Sequence, residues 1–258
     1  MESSEQEVDV LAFGAHPDDV ELSVGGSVAA LTGAGRRVAI VDLTAGELGT
    51  RGTREIRARE AGEAARILGV VSRECLGLRD GHVSVDEESR RAVIGAIRRY
   101  RPTVVLAPAE DDLHPDHQYA GRVVRESCFL AGLRNWTTGH APHRPRTVLH
   151  YFLHTQHEPD LVMDVSEHFE TKRRACLAYM SQFHDPQSRE PATYISSSGF
   201  WTWWEARWRH YGNLIGAAFG EPYLHAGPVP MKDPLDLFSN YGYYPAAGRL
   251  RGEDLGRG

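Results

Sequence analysis

Short apolar runs alternate with longer segments of helical spacing from Val8 to Leu130, and few folds accommodate that alternation. Residues 8–13 are nearly all apolar and close at Gly14. A run with no polar side has to lie inside a sheet that is covered on both faces. Residues 21–31 follow with helical spacing and stop at Gly33, and residues 37–43 return to a strand. A strand–helix–strand unit of this length crosses over right-handed into a parallel neighbour. The pattern continues with helices at 54–68, stopped by Gly69, and at 86–100, with Asp86 as N-cap. A strand follows Pro102 at 103–107, and residues 117–130 are helical again. The expected fold is α/β, with a mainly parallel sheet flanked by helices.

Beyond residue 135 the periodicity weakens. Strands are expected at 147–153 and 161–165, then a helix over 166–182 capped by Ser166, then a polar loop over 183–200. Four of the five tryptophans lie between Trp201 and Trp208. Trp201, Trp204 and Trp208 share one helix face, which suits packing in the core or at a subunit interface, with sugar stacking as the sharper alternative. No repeat or low-complexity linker divides the 258 residues, so one domain over 1–258 is expected.

Composition narrows the function classes. A net charge of −6 argues against nucleic acid, because neutralising phosphates needs a basic face. The arginines of residues 54–60 alternate with glutamates, as on a solvated helix. Three scattered cysteines give neither a disulfide framework nor a thiolate metal site; they read as buried or half-buried free thiols in a reducing compartment. The acidic start has no apolar core of a signal peptide, and no run is long enough to span a bilayer. A cytoplasmic protein without membrane or nucleic-acid partners is expected.

Two polar constellations interrupt this scaffold. His16, Pro17, Asp18, Asp19 and Glu21 follow the first strand directly. So dense a set of carboxylates needs a cation or an outlet to water. Asp111-Asp112-Leu113-His114-Pro115-Asp116-His117 follows the strand at 103–107. In open parallel sheets, ligands bind beyond the carboxyl ends of strands. If the two strands are neighbours, the two His-Pro-Asp turns face one crevice. Two histidines and one carboxylate match the three protein ligands of a catalytic zinc site, which keeps a fourth position open. The other histidines, among them His140, His143, His154 and His157, read as ordinary structural or surface residues, and Gln182 and Tyr194 likewise.

The pattern from Ala15-His16-Pro17-Asp18-Asp19-Val20-Glu21 to His114-Pro115-Asp116-His117 resembles the LmbE-like, or PIG-L-like, family of zinc-dependent N-acetylglucosaminyl deacetylases. Blocks at 43–53, 77–81, 179–183, 214–217 and 220–223 are similar to its bacillithiol-pathway branch, which hydrolyses N-acetyl-glucosaminyl-malate to glucosaminyl-malate and acetate. Ala45 departs from that branch, where arginine is common. The resemblance implies a Rossmann-like part over 8–135, a C-terminal elaboration over 145–224 and a tail, 225–258, outside the family pattern. It implies zinc on His16, Asp19 and His117, Asp18 as general base, and His114 backed by Asp116 as oxyanion stabiliser. It also implies Arg57 and Asp80 as sugar-binding residues, a small N-acetylated sugar conjugate as substrate, and a homo-oligomer, often a hexamer.

The residue types suit that chemistry. A metal lowers the pKa of water and polarises the amide, and a neighbouring carboxylate can accept the water's proton. A protonated His114, favoured by Asp116, would stabilise the oxyanion. Mycothiol-type, inositol-linked and chitooligosaccharide amides would use the same centre. A non-catalytic sugar- or nucleotide-binding module would give Asp18 and His114 no role, and a structural metal site would need a fourth protein ligand.

Overall fold

The computed structural model describes residues 6–183, 190–233 and 235. The first half of the chain runs β1 (Val10–Gly14), α1 (Asp19–Gly33), β2 (Val38–Thr44), α2 (Arg54–Leu68), β3 (Ser72–Leu78), α3 (Glu87–Tyr100), β4 (Val104–Pro108) and α4 (Pro115–Leu130). The second half adds β5 (Thr147–Tyr151), β6 (Leu161–Asp164), α5 (Phe169–Leu177), α6 (Phe200–Leu214) and β7 (Gly220–His225). All seven strands join one sheet in the order β3-β2-β1-β4-β5-β7-β6. The five strands from β3 to β5 are mutually parallel, and β7 pairs antiparallel with both β5 and β6.

The mainly parallel α/β sheet read from the alternation is therefore observed. Every residue of β1 and β2 is buried. Their side chains alternate between two cores, as the period of two requires. Val10, Ala12, Val38 and Ile40 pack under α1, α2, α5 and α6, while Leu11, Phe13, Ala39 and Val41 pack under α3 and α4. Asp86 caps α3 as expected, accepting from the Ser89 amide at 2.8 Å.

Two strands have no apolar run to announce them. β3 carries Ser72, Arg73 and Glu74 and is only partly covered, as an edge strand can be. β7 holds Glu221 and Pro222 although it lies between two strands, a position where proline is rare. The helix expected over 166–182 is shorter. Ser166 does not cap α5; its hydroxyl donates to Asp164 at 2.7 Å and accepts from the Ala218 and Phe219 amides, tethering β6 to the approach to β7. Within the loop expected at 183–200, residues 184–189 lie outside the described residues, as do 234 and 236–258 of the tail and 1–5 at the start. Among the described residues no helix is long and apolar enough to cross a membrane.

Some of the longest-range polar contacts among the described residues serve α1. This helix kinks at Val24, whose φ and ψ of −127° and 19° are not helical. Past the kink, the Gly26 and Ser27 amides donate to Glu221 at 2.9 and 2.6 Å. The two carbonyls that would accept from them in a regular helix find other donors. Leu22 O accepts from Trp204 Nε1 at 3.0 Å, and Ser23 O from Lys172 Nζ at 2.9 Å. Lys172 Nζ also donates to Glu221 at 2.6 Å and lies 3.5 Å from the centre of the Trp208 ring. All four groups released by the kink are thus satisfied in the interior. Gly26 is required by space: a Cβ there would stand 2.8 Å from both Glu221 Oε1 and Val165 Cβ.

Removing Glu221 would strand a fully buried ammonium and two amides. Glu221→Ala should cost about 3–5 kcal/mol, and Gly26→Ala about 1–3 kcal/mol from overpacking. Urea denaturation reads both, and a loss below about 1 kcal/mol in Glu221→Ala would contradict this account of the kink.

Candidate active site

The order β3-β2-β1-β4-β5 reverses direction between β1 and β4, which pair directly. The crevice beyond their carboxyl ends is where a parallel sheet of this order binds ligands. The first turn leaves β1 there and the second leaves β4, so the two constellations meet. Centroids of the His16 ring lie 4.8 Å from His114 and 5.3 Å from His117.

Local structure sets each side chain. The β1 end is held by Tyr151, whose hydroxyl donates to Phe13 O at 2.6 Å, and by Thr44, which donates to Ala15 O at 2.9 Å. Asp18 precedes α1 with φ 110°, a left-handed conformation that costs a non-glycine residue about 1–3 kcal/mol. That strain sends consecutive side chains in different directions. Asp19 turns inward, where its carboxylate accepts from the His16 amide at 2.9 Å. Asp18 turns toward Arg57, whose Nη2 donates to it at 3.0 Å. At the second turn His114, not Asp116, is the N-cap of α4: its Nδ1 accepts from the Asp116 amide at 3.1 Å.

His16, Asp19 and His117 are all buried, and one donor atom from each lies within 4.8 Å of the others. Asp19 sits between the rings, with Oδ2 3.6 Å from His16 Nδ1 and Oδ1 3.4 Å from His117 Nε2. Ligand atoms about 2.0–2.1 Å from a tetrahedral zinc ion stand about 3.3–3.4 Å apart, so the spacing fits such an ion closely. The far side of each ring is tied to carboxylates. His16 Nε2 meets Asp80 at 3.1 Å and Asp116 at 3.3 Å, and His117 Nδ1 meets Asp112 at 2.9 Å. A carboxylate behind each imidazole fixes which nitrogen faces the ion and strengthens it as a donor. Among the described residues, no fourth side chain closes the trio. A pocket of about 330 Å³ opens over it, lined also by Asp18, Arg57, His114, His154 and Gln182.

Several expected roles change on this geometry. Asp116 meets the His114 ring through its backbone amide, while its carboxylate accepts from the Gly81 and Val83 amides and meets His16. Burial and the neighbouring imidazoles of His117 and His16 push His114 below its ordinary value, against the pull of Asp116. Because Nδ1 accepts from the Asp116 amide, the ring proton of His114 sits on Nε2. Arg57 is neither a surface ion pair nor extended toward solvent. It is buried and clamps the Pro17–Asp18 turn, donating to Pro17 O, Asp18 and Gly46 O. Asp80 spends one oxygen on His16 and the other on the Leu48 amide at 2.8 Å. Glu21, from the first constellation, has its cation in Arg73 of β3, which also pairs with Asp42. Gln182 reaches the pocket wall and donates to Arg51 O at 2.8 Å.

Two residues of the site carry no assigned role in the sequence. Asp112 lies inside the second constellation, and a carboxylate five residues before a ligand histidine is the available signal. His154 gives no signal, being distant from either motif. Its ring stacks on His117 at 5.1 Å, and its backbone amide and Nδ1 both donate to Asp112, at 2.7 and 3.0 Å.

Charge follows from these contacts. Burial lowers the His16 imidazole, but hydrogen bonds to Asp116, Asp19 and Asp80 outweigh it and hold it well above its ordinary value. Burial likewise opposes His117, yet the Asp19 charge and the Asp112 and Asp19 hydrogen bonds carry it to about 9. Asp80, despite burial, is pulled to about 2 by His16 and the Leu48 amide. Burial lifts Asp18 to about 7 against the attraction of Arg57.

Comparison with known proteins agrees with this centre. The model of the PIG-L family, GlcNAc-PI de-N-acetylase, matches residues 11–128 and so spans both turns. The diacetylchitobiose deacetylase of Thermococcus kodakarensis is 31% identical over 82% of this chain and 80% of its own length. The chain belongs to the PIG-L/LmbE-like deacetylase family. Its relatives from Thermococcus kodakarensis and Bacillus cereus are named as deacetylases, enzymes that hydrolyse N-acetyl amides. A probable N-acetyl-alpha-D-glucosaminyl L-malate deacetylase 2 of Bacillus cereus is 27% identical over 76% of this chain and 98% of its own. The crystal structure of a conserved protein from Thermus thermophilus superposes with a TM-score of 0.80 at 36% identity, covering 88% of this chain and 98% of that one.

Without metal, His117, at about 9, carries a proton at pH 7, and its own carboxylate contacts raise His16 in the same direction. Metal binding through these ring nitrogens should therefore release at least one proton per ion. Calorimetry in buffers of different ionisation enthalpy measures this, and a release near zero would exclude these ring nitrogens as donors. Asp112→Ala should lower metal affinity about 10–100-fold.

Proposed function

We propose that this protein is a zinc-dependent N-deacetylase that removes the acetyl group from an N-acetylglucosamine-type sugar. The observation that carries the reading is the open face of the donor trio. Three candidate donors stand beneath a pocket, with the Asp18 carboxylate and the His114 imidazole beside them outside that trio. A structural site would be closed by a fourth ligand. A non-catalytic sugar-binding module would have no use for a strained, arginine-clamped Asp18 at that position.

His16, Asp19 and His117 would hold the ion. Zinc, when bound, supplies a Lewis acid that polarises the acetyl carbonyl and makes water nucleophilic near neutral pH. Asp18 Oδ takes the proton of the attacking water. Its value near 7 suits a group that must both accept and return a proton. Arg57 keeps the carboxylate in register by holding both Asp18 and the preceding carbonyl. His114 donates Nε2–H to the developing oxyanion as a neutral ring, because the Asp116 amide occupies Nδ1. Asp18 then passes its proton to the leaving amine as the C–N bond breaks, which yields acetate and a free 2-amino sugar. Asp80, Asp112 and Asp116 act as positioning residues through the ligand rings.

The two relatives are named for substrates that carry different aglycones on the glucosamine, a second N-acetylglucosamine and L-malate. The bacillithiol-type malate conjugate is thus one candidate substrate and diacetylchitobiose another, and the same residues serve both. The test is acetate release by the zinc-loaded protein from N-acetylglucosamine, N,N′-diacetylchitobiose and N-acetyl-glucosaminyl-malate. Asp18→Asn should lower kcat by about 100-fold or more with little change in KM. Turnover left intact in that variant would remove Asp18 as the base, and a zinc-loaded wild type inert on all three would remove the reading.

A further inference from the structure

Glu21 belongs to the first constellation, yet the chemistry at the metal gives it no part, although it is buried two residues after Asp19. Its Oε1 accepts from Arg73 Nη1 and, at 3.1 Å, from the Tyr179 hydroxyl. Arg73 in turn grips Asp42 with two bonds, Nε to Oδ2 at 2.8 Å and Nη2 to Oδ1 at 2.9 Å. Asp42 lies on β2 in register with Gly14, the last residue of β1. The chain from Glu21 through Arg73 to Asp42 therefore fastens the start of α1 to the sheet, beside the strand end from which the first turn leaves. The side chains of Glu21, Arg73 and Asp42 are 0%, 7% and 3% exposed. Glu21 Oε2 is buried without a hydrogen-bond partner among the described residues. A buried ion pair adds little stability over apolar groups of the same volume, and an unsatisfied oxygen makes it less favourable still. Its hydrogen bonds fix a direction instead.

We propose that Glu21, anchored by Arg73, is a positioning residue that sets the rotation of the first turn of α1 and so aims Asp18 and Asp19; the proposal rests on the metal-dependent deacetylase reading of the site. The kink at Val24 creates the need for such an anchor. The Gly26 and Ser27 amides bond to Glu221 and not to Leu22 O and Ser23 O, so two rungs of the helical ladder are missing. Trp204 and Lys172 hold those two carbonyls, which fixes the far end of the turn but not its rotation. Successive helical residues are about 100° apart, so Glu21 leaves the turn about 200° round from Asp19, on the opposite side. One arm of the turn reaches the metal donors and the other reaches Arg73. A rotation that drew Asp19 away from His16 and His117 would also draw Glu21 off Arg73, and the buried pair opposes it. Asp18 shares the anchor, because its carbonyl accepts from the Leu22 amide of the same turn at 2.9 Å. Arg57 holds the Asp18 carboxylate from the other side. Two arginines, on α2 and β3, thus fix the general base and the ligand beside it without touching the ion.

The experiment compares the full-length wild type with Glu21→Met and Glu21→Gln. Methionine keeps the length of the side chain and removes both hydrogen bonds, while Arg73 stays paired with Asp42. Glutamine keeps an acceptor for Arg73 and Tyr179. Urea denaturation without metal reads stability, competition with a chelator reads zinc affinity, and acetate release at saturating zinc reads kcat and KM. Glu21→Met should weaken zinc binding about tenfold or more. It should also lower kcat about tenfold or more with KM unchanged, since a small misplacement of the base is costly. Glu21→Gln should recover most of both losses. A purely structural role would lower the urea midpoint alone. Wild-type zinc affinity in Glu21→Met overturns the proposal whatever its stability, and so does a Glu21→Gln protein as impaired as Glu21→Met. Should Glu21→Met not fold, Arg73→Lys replaces it, because one ammonium cannot hold Asp42 at two points and Glu21 as well. The same losses are expected there, and wild-type zinc affinity again overturns the proposal. Should the wild type release acetate from none of the three substrates, the deacetylase reading fails on its own, and zinc affinity still decides the anchor.

Discussion

Buried negative charge is the constraint around which this molecule is organised. Asp18, Asp19, Asp80, Asp112 and Asp116 are all buried about one crevice, and a carboxylate without a partner in the interior is costly. One of the five is answered by Arg57. The other four meet two imidazoles, His16 and His117, which these carboxylates hold above their ordinary values. The same carboxylates thus make the site tenable empty and receptive to a cation. The sheet supplies the place, because the reversal between β1 and β4 is where two strand ends can contribute turns to a single space.

Precision in that space comes from farther away. α1 carries Asp19 in its first turn, and its kink at Val24 lies between that turn and the rest of the helix. Lys172 of α5, Trp204 of α6 and Glu221 of β7 complete the kink. The C-terminal half therefore closes polar groups of the N-terminal half as well as extending its sheet. α6, which supports the kink through Trp204 and Trp208, also carries the exposed Trp203.

The parallel α/β plan is legible because β1, β2 and β4 are buried on both faces and leave unmistakable apolar runs. The metal trio is legible because its ligands are adjacent in two short motifs. What the sequence hides depends on partners far apart along the chain. β3 and β7 are polar or proline-bearing strands whose pairing is set by neighbours, not by their own pattern. The types of Arg57, Asp80 and Asp116 single them out, but their side-chain directions do not follow from type. Arg57, expected to reach a sugar, instead clamps Asp18, 39 residues away. Asp80 meets His16 across 64 residues and Asp116 meets it across 100. His154 is hidden for the same reason, since only the sheet brings it to Asp112.

The kinked helix also orders events during synthesis. All three metal donors lie in the first 117 residues, whereas Gly26 waits for a carboxylate 195 residues later. At about 5–20 residues per second, that interval lasts roughly 10–40 s. The kink that follows the first turn of α1 is therefore completed only once β7, the last strand of the described sheet, has been made.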